Sequence, residues 1–233
     1  MSPRRLKADL RKFANPKKKK ALQRFFKTGL GQYGEGDVFL GVMVPESRSL
    51  AVVYKDLPFS DIEKLLASPV HEERLVGLLI LVHNFEKGDA KVRKTIYRYY
   101  LAHAKHVNNW DLVDLTADKI VGRYLLDNPK EIAILQKLAR SKNLWERRIA
   151  IIATLQFIKH NQFKPTLQIA QLLMHDEHDL IHKAVGWMLR EVGKRDKKVE
   201  MDFLKIHRHI MPRLTLRYAI ERFSPAEKAK AGI

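Results

Sequence analysis

Asn108-Asn109-Trp110-Asp111-Leu112-Val113-Asp114 reads as the opening turns of a helix. Trp110 and Asp114 stand four residues apart, so a helix places them on one face, one above the other. The same slot recurs along the chain, at Glu73-Arg74-Leu75-Val76-Gly77-Leu78-Leu79, Arg147-Arg148-Ile149-Ala150-Ile151-Ile152-Ala153 and His182-Lys183-Ala184-Val185-Gly186-Trp187-Met188. Aligned on Arg74, Trp110, Arg148 and Lys183, the four units are spaced 36, 38 and 35 residues apart. Between anchors lies a second apolar helix, as at residues 131–139 and 166–174. A period in this range with two helices per unit predicts an all-α fold, an α-solenoid, over residues 1–233 as one domain. Within it, residues 1–45 read as N-terminal helices and a Gly-rich loop, and 46–233 as helical repeats.

Equivalent positions of a solenoid form rows across one face, commonly the concave one. The anchor row is Arg74, Trp110, Arg148, Lys183. Four residues on, the row is Leu78, Asp114, Ile152, Trp187. Two tryptophans, a carboxylate and two cations are thereby predicted to share a neighbourhood, with Arg190 and Lys194 on nearby faces of the Trp187 helix. The alternative is structural: both tryptophans pack between repeats, and Asp114 pairs with Arg148.

The chain of 233 residues carries 44 Lys+Arg against 26 Asp+Glu, a net charge of +18, with 45% hydrophobic residues. That excess points to a polyanionic partner, nucleic acid before an anionic membrane surface, although a generally basic soluble protein has the same balance. There is no cysteine, which excludes disulfides, thiolate catalysis and Cys-ligated metal. No secretory h-region follows the basic start, and the run Leu75–Val82 is too short to span a bilayer. The expectation is a soluble, cytoplasmic, monomeric protein without cofactor or metal.

Start signals mark the helices in order. Residues 4–14 put Leu6, Leu10, Phe13 and Ala14 on one side, and Asn15-Pro16 starts the next helix ahead of Lys17–Lys20. Gly29-Leu30-Gly31-Gln32-Tyr33-Gly34 has the letters of a dinucleotide fingerprint, but a basic helix rather than a strand precedes it, so a loop with positive φ angles is the better reading. Pro45 is placed at the first position of a helix, Ser60…Glu63 has capping-box spacing, and Ser68-Pro69, Asn128-Pro129 and Ser224-Pro225 open further helices. Gly88, Gly122 and Gly193 fall near helix ends or close contacts. His175-Asp176-Glu177-His178 reads as a polar turn rather than a metal site, since structural zinc needs four convergent ligands. His103 and His106 read as helix-face residues.

These residues resemble a family, the DNA alkylation repair glycosylases of the AlkD type, built of HEAT-like repeats. The resemblance rests on Arg24–Gly29, Gly31–Asp37, Phe39–Val42 with Pro45, Trp110–Asp114, Trp145–Arg148, Lys183–Glu191 and Arg217–Glu221. It implies a HEAT-like solenoid with a concave basic groove, and excision of cationic alkylpurines of the N3-methyladenine and N7-methylguanine class from double-stranded DNA. It carries the catalytic aspartate onto Asp114, aromatic partners onto Trp110 and Trp187, and an arginine onto Arg148. Phe25 stands where some members have tyrosine, and Gln156 where others have lysine. Lys183, Arg190 and Lys194 complete the expected DNA contacts.

The chemistry suits the residues. An alkylated purine is already cationic and departs neutral, so no strong general acid is needed. One carboxylate can stabilise the oxocarbenium-like sugar and orient water, in contrast to the acid-plus-base pair of ordinary glycosidases. Tryptophan faces stabilise a nearby cation by about 0.5–2 kcal/mol each. Arg148 can hold a phosphate, and close to Asp114 would favour its ionised form. A non-catalytic HEAT-like module binding nucleic acid or protein is the competing reading.

Overall fold

The computed structural model describes residues 1–232. It is all-α, and Cα packing divides it into two compact units that meet at Leu112/Val113, inside the Trp110–Asp114 stretch.

The first unit holds α1 (Pro3–Arg11), α2 (Pro16–Phe25), α3 (Val44–Val53), α4 (Phe59–Leu66), α5 (His71–Lys87) and α6 (Ala90–Ala102). Ser2 and Asn15 cap α1 and α2, accepting the N–H of Arg5 and Lys18, with proline at the first helical position of each. Leu6 and Leu10 are fully buried, each contributing about 1.5–3 kcal/mol of transfer free energy. Because α1 stops at Arg11, Phe13 and Ala14 leave the expected apolar side and are exposed. Helix α5 is buried all round from His71 to Val82, and α3, α4 and α6 pack against it.

The glycine-rich segment is a loop, with Gly31, Gly36 and Gly41 at positive φ. It ends in a single parallel bridge between Val38 and Val70; among the described residues no sheet forms. A Cβ on Gly41 would lie 2.2 Å from the Asn15 carbonyl oxygen, so backbone passes backbone where no other residue fits. Three start signals are displaced. Helix α3 opens at Val44, with Pro45 second. Helix α4 opens at Phe59 after extended Pro58, which leaves Ser60 inside the first turn and capping nothing. Helix α5 opens at His71; Ser68 Oγ accepts the Val70 N–H and donates to Glu73 instead.

Helix α7 (Trp110–Asp114) carries the chain into the second unit. There follow a π-helical turn at Asp118–Gly122, α8 (Arg123–Asp127), α9 (Ala133–Ala139), α10 (Leu144–Ala153), α11 (Leu155–Lys159), α12 (Lys164–Leu172), α13 (Asp179–Arg195), α14 (Lys197–His207), α15 (Arg213–Ala219) and α16 (Pro225–Ala231). Asn128-Pro129 opens a 3-10 turn, Pro129–Glu131, ahead of α9. Ser224 and Glu227 form a capping box on α16. Helix α10 packs on α9 and α13, and α13 packs on α14 and α15. Gly122 lies in the π turn against α10; a Cβ there would sit 2.1 Å from the Ala153 carbonyl oxygen. No helix among the described residues is long and apolar enough to cross a membrane.

Candidate active site

Asp114 closes α7, and its carboxylate meets Arg148 of α10 in a two-pronged pair. Arg148 Nε donates to Oδ1 and Nη2 to Oδ2, both at 2.8 Å. Side-chain exposure is 15% for Asp114 and 6% for Arg148, so the pair is largely out of water. Arg148 Nη1 donates to the Leu180 carbonyl at 2.5 Å, at the start of α13. Three of the five N–H groups of this guanidinium, the one expected to hold a phosphate, are thus directed at Asp114 and a backbone oxygen. Fork-to-fork pairing fixes the plane of the carboxylate as well as its distance.

On α13, Trp187 is half-buried and its indole N–H donates to Glu191 at 3.0 Å; Lys194 reaches the same Glu191 oxygen at 2.6 Å. Arg190 pairs with Glu221. Lys183 is half-buried without an ion pair among those found in the described residues. Gln156 lies 3.4 Å from Asp118, which also binds Lys159 at 2.8 Å, so a cation one turn beyond Gln156 faces the same carboxylate. The anchor arginines behave alike: Arg74 is buried and reaches Asp37 at 2.5 Å, as Arg148 reaches Asp114. Leu78 and Ile152 of the second row are core.

In the first unit, Trp110 is half-buried and stacks on Phe26 (centroids 4.9 Å, planes 13° apart). Phe26 stacks on Phe39 at 5.0 Å, and Phe39 on His71 at 4.4 Å. Phe25 is 63% exposed, edge-on to Trp110 at 5.7 Å. Phe25 and Trp110, singled out separately from the sequence, are thus neighbours at the end of a longer aromatic column, of which sequence reasoning missed Phe26, Phe39 and His71. A cavity of about 70 Å³ beside the column is lined by Leu22, Phe26, Phe39, Val42, His71 and Asp111, among others. Glu72, also missed, accepts the backbone N–H groups of Leu40, Gly41 and Val42 at 2.8–3.2 Å and so holds the loop's end against α5.

The polar turn 175–178 lies between α12 and α13, as expected. Asp176 pairs with Arg147 at 2.6 Å, and His178 caps α13, with burial holding its pKa below the usual histidine value. Among the described residues no three His, Cys, Asp or Glu side chains converge as metal ligands. His103 ends α6 and His106 lies in the following 3-10 turn.

The family model described as "DNA alkylation repair enzyme" matches residues 6–223. A solved structure described as a predicted DNA alkylation repair enzyme from Enterococcus faecalis is similar with a TM-score of 0.71 at 19% identity, over 91% of this chain and 97% of that one. At that identity the likeness speaks for the fold: all-α and compatible with HEAT-like helical repeats. No curated protein matches the chain.

Proposed function

Since the chain belongs to the DNA alkylation repair enzyme family, we propose that it is a DNA glycosylase, hydrolysing the N-glycosidic bond of cationic alkylpurines in duplex DNA, and that residues 1–233 act as one repeat domain. The observation that carries this reading is the Asp114–Arg148 fork, a mostly buried carboxylate fixed in plane and distance.

Each role follows from the chemistry. As the cationic base departs, positive charge moves to the sugar, and a carboxylate fixed in advance stabilises that charge without reorganising. Arg148 serves by holding the plane of Asp114 with three of its five N–H groups directed at Asp114 and the Leu180 carbonyl. Tryptophan faces stabilise a cation, and that is the property for which Trp110 and Trp187 are proposed as aromatic partners in the reaction. Phosphate contacts fall to Lys183, Arg190 and Lys194, and Phe25 offers an exposed aromatic surface. A net charge of +18 supplies the sequence-independent part of binding.

The test is base release. Duplex DNA treated with a methylating agent is incubated with the protein, and free purines are measured. Release of N3-methyladenine or N7-methylguanine above the spontaneous rate is the expected result. Tight, steeply salt-dependent binding with no released base would instead mark a binding module.

A further inference from the structure

Asp37, His71, Arg74, Asn109 and Asp111 are all buried in the first unit, and the reaction proposed above uses none of them directly. Buried charges are costly unless paired and hydrogen-bonded, and here the pairing has a specific form. His71 stands between two carboxylates, with Nδ1 3.3 Å from Asp37 Oδ2 and Nε2 2.8 Å from Asp111 Oδ2. An ionised carboxylate only accepts. A neutral imidazole has one N–H, so it would satisfy one carboxylate and turn a lone pair on the other. Imidazolium donates to both. With Arg74 Nη2 on Asp37 Oδ1, the protonated cluster holds two cations and two anions.

The cluster is tied to Trp110 from both sides. Asn109 Nδ2 donates to Asp37 at 3.0 Å, while Asn109 Oδ1 accepts the Trp110 N–H at 2.8 Å. Asp111 Oδ1 accepts the Leu112 N–H at 2.8 Å. The ring itself rests on Phe26, which stacks on Phe39 and so on His71. We infer that His71, as an imidazolium bridging Asp37 and Asp111, is the positioning residue that holds the indole of Trp110 in one orientation.

The other charged groups nearby agree with this state. Burial pushes His71 down, but the charge and hydrogen bond of Asp111 and the hydrogen bond to Asp37 outweigh it, and its pKa stands at about 9. Burial pushes Asp37 up, and the hydrogen bond from His71 with the charge of Arg74 brings it below the usual carboxylate value. Glu72 faces the loop backbone rather than the imidazole. Above the His71 transition one of the two carboxylates loses the imidazole as a donor, and segment 109–111 at the head of α7 loosens with Trp110 on it. The consequence for base release rests on the function proposed above; the consequence for Trp110 does not.

The chain has three tryptophans, so a Trp145→Phe/Trp187→Phe chain reports Trp110 alone. Its emission, followed from about pH 6.5 to 10.5, is expected to change sigmoidally with a midpoint near 9. The added change His71→Gln should abolish that transition. Asp111→Asn, which removes one carboxylate, should lower the midpoint by roughly one unit, and it decides the matter if the His71 variant does not fold. In the unmodified chain, base release should fall at least ~10-fold across the same midpoint, the scale of a misplaced catalytic group. Emission that stays flat, or the same midpoint with His71→Gln or Asp111→Asn, overturns the inference. A titrating Trp110 in a protein that releases no base at any pH supports the clamp and overturns the glycosylase reading alone.

Discussion

Arg148→Met isolates the Asp114–Arg148 pair. Methionine fills much of the same space, so the loss is chiefly electrostatic, and it removes both guanidinium donors from a carboxylate whose side chain is 15% exposed. Breaking one side of a fully buried pair costs about 3–5 kcal/mol; the partial exposure of Asp114 places the expectation near the lower end, about 3 kcal/mol. Asp114→Asn keeps one acceptor, and the Leu180 carbonyl still accepts from Arg148, but the guanidinium loses its counter-charge, at about 2 kcal/mol. If the two groups act as a unit, the double variant loses about 3 kcal/mol rather than about 5, a coupling near 2 kcal/mol. Chemical denaturation of the four chains measures this, with midpoints converted at constant slope. In thermal unfolding the Arg148→Met shift should be about 6–12 °C for a chain of this size. Losses that add to within about 0.5 kcal/mol would refute the coupling, and with it the idea that Arg148 exists to hold Asp114.

Two further outcomes follow from burial and close approach. Gly41→Ala is expected to destabilise by more than ~1 kcal/mol in the same denaturation assay, because φ of +87° and the Asn15 carbonyl at 2.2 Å both oppose a Cβ. Glu200 is 1% exposed; burial, then the nearby Glu227 charge, raise its pKa to about 8 against the opposing pull of Lys197. The folded chain therefore keeps a proton that the unfolded chain releases above about 4.5. The contribution to stability is full below that pH and is lost as pH rises through about 8. His71 titrates in the same sense near 9, so the comparison is with Glu200→Gln, whose stability should fall less steeply between pH 5 and 9. Equal slopes would remove the assignment to Glu200.

The helices were legible because their signals are local. Asn15-Pro16 and Ser224-Pro225 each combine a capping side chain with a proline that lacks the N–H a first turn cannot satisfy. Ser60 misled because capping-box spacing says nothing of where the preceding proline lets the helix begin. The Asp114–Arg148 pair was foreseen as one of two readings, since the repeat brings equivalent helix positions into register. The Asp37–His71–Asp111 cluster was not. Its members lie 34 and 40 residues apart in chain and belong to a loop and the starts of two helices, with no shared period. Of His71-Glu72-Glu73-Arg74, the sequence singled out Arg74 as a repeat anchor and gave no role to His71, yet all four are buried. The available signal was their position at the head of an apolar run, Leu75–Val82, with no polar face of its own.

Single-turnover release of N7-methylguanine by Asp114→Asn, compared with the unmodified chain at equal DNA occupancy, bears most directly on the central claim. The expected result is a rate lower by roughly 10²–10³-fold with DNA affinity retained, the scale of losing one preorganised electrostatic group. A rate within about threefold of the unmodified chain would contradict the role of Asp114.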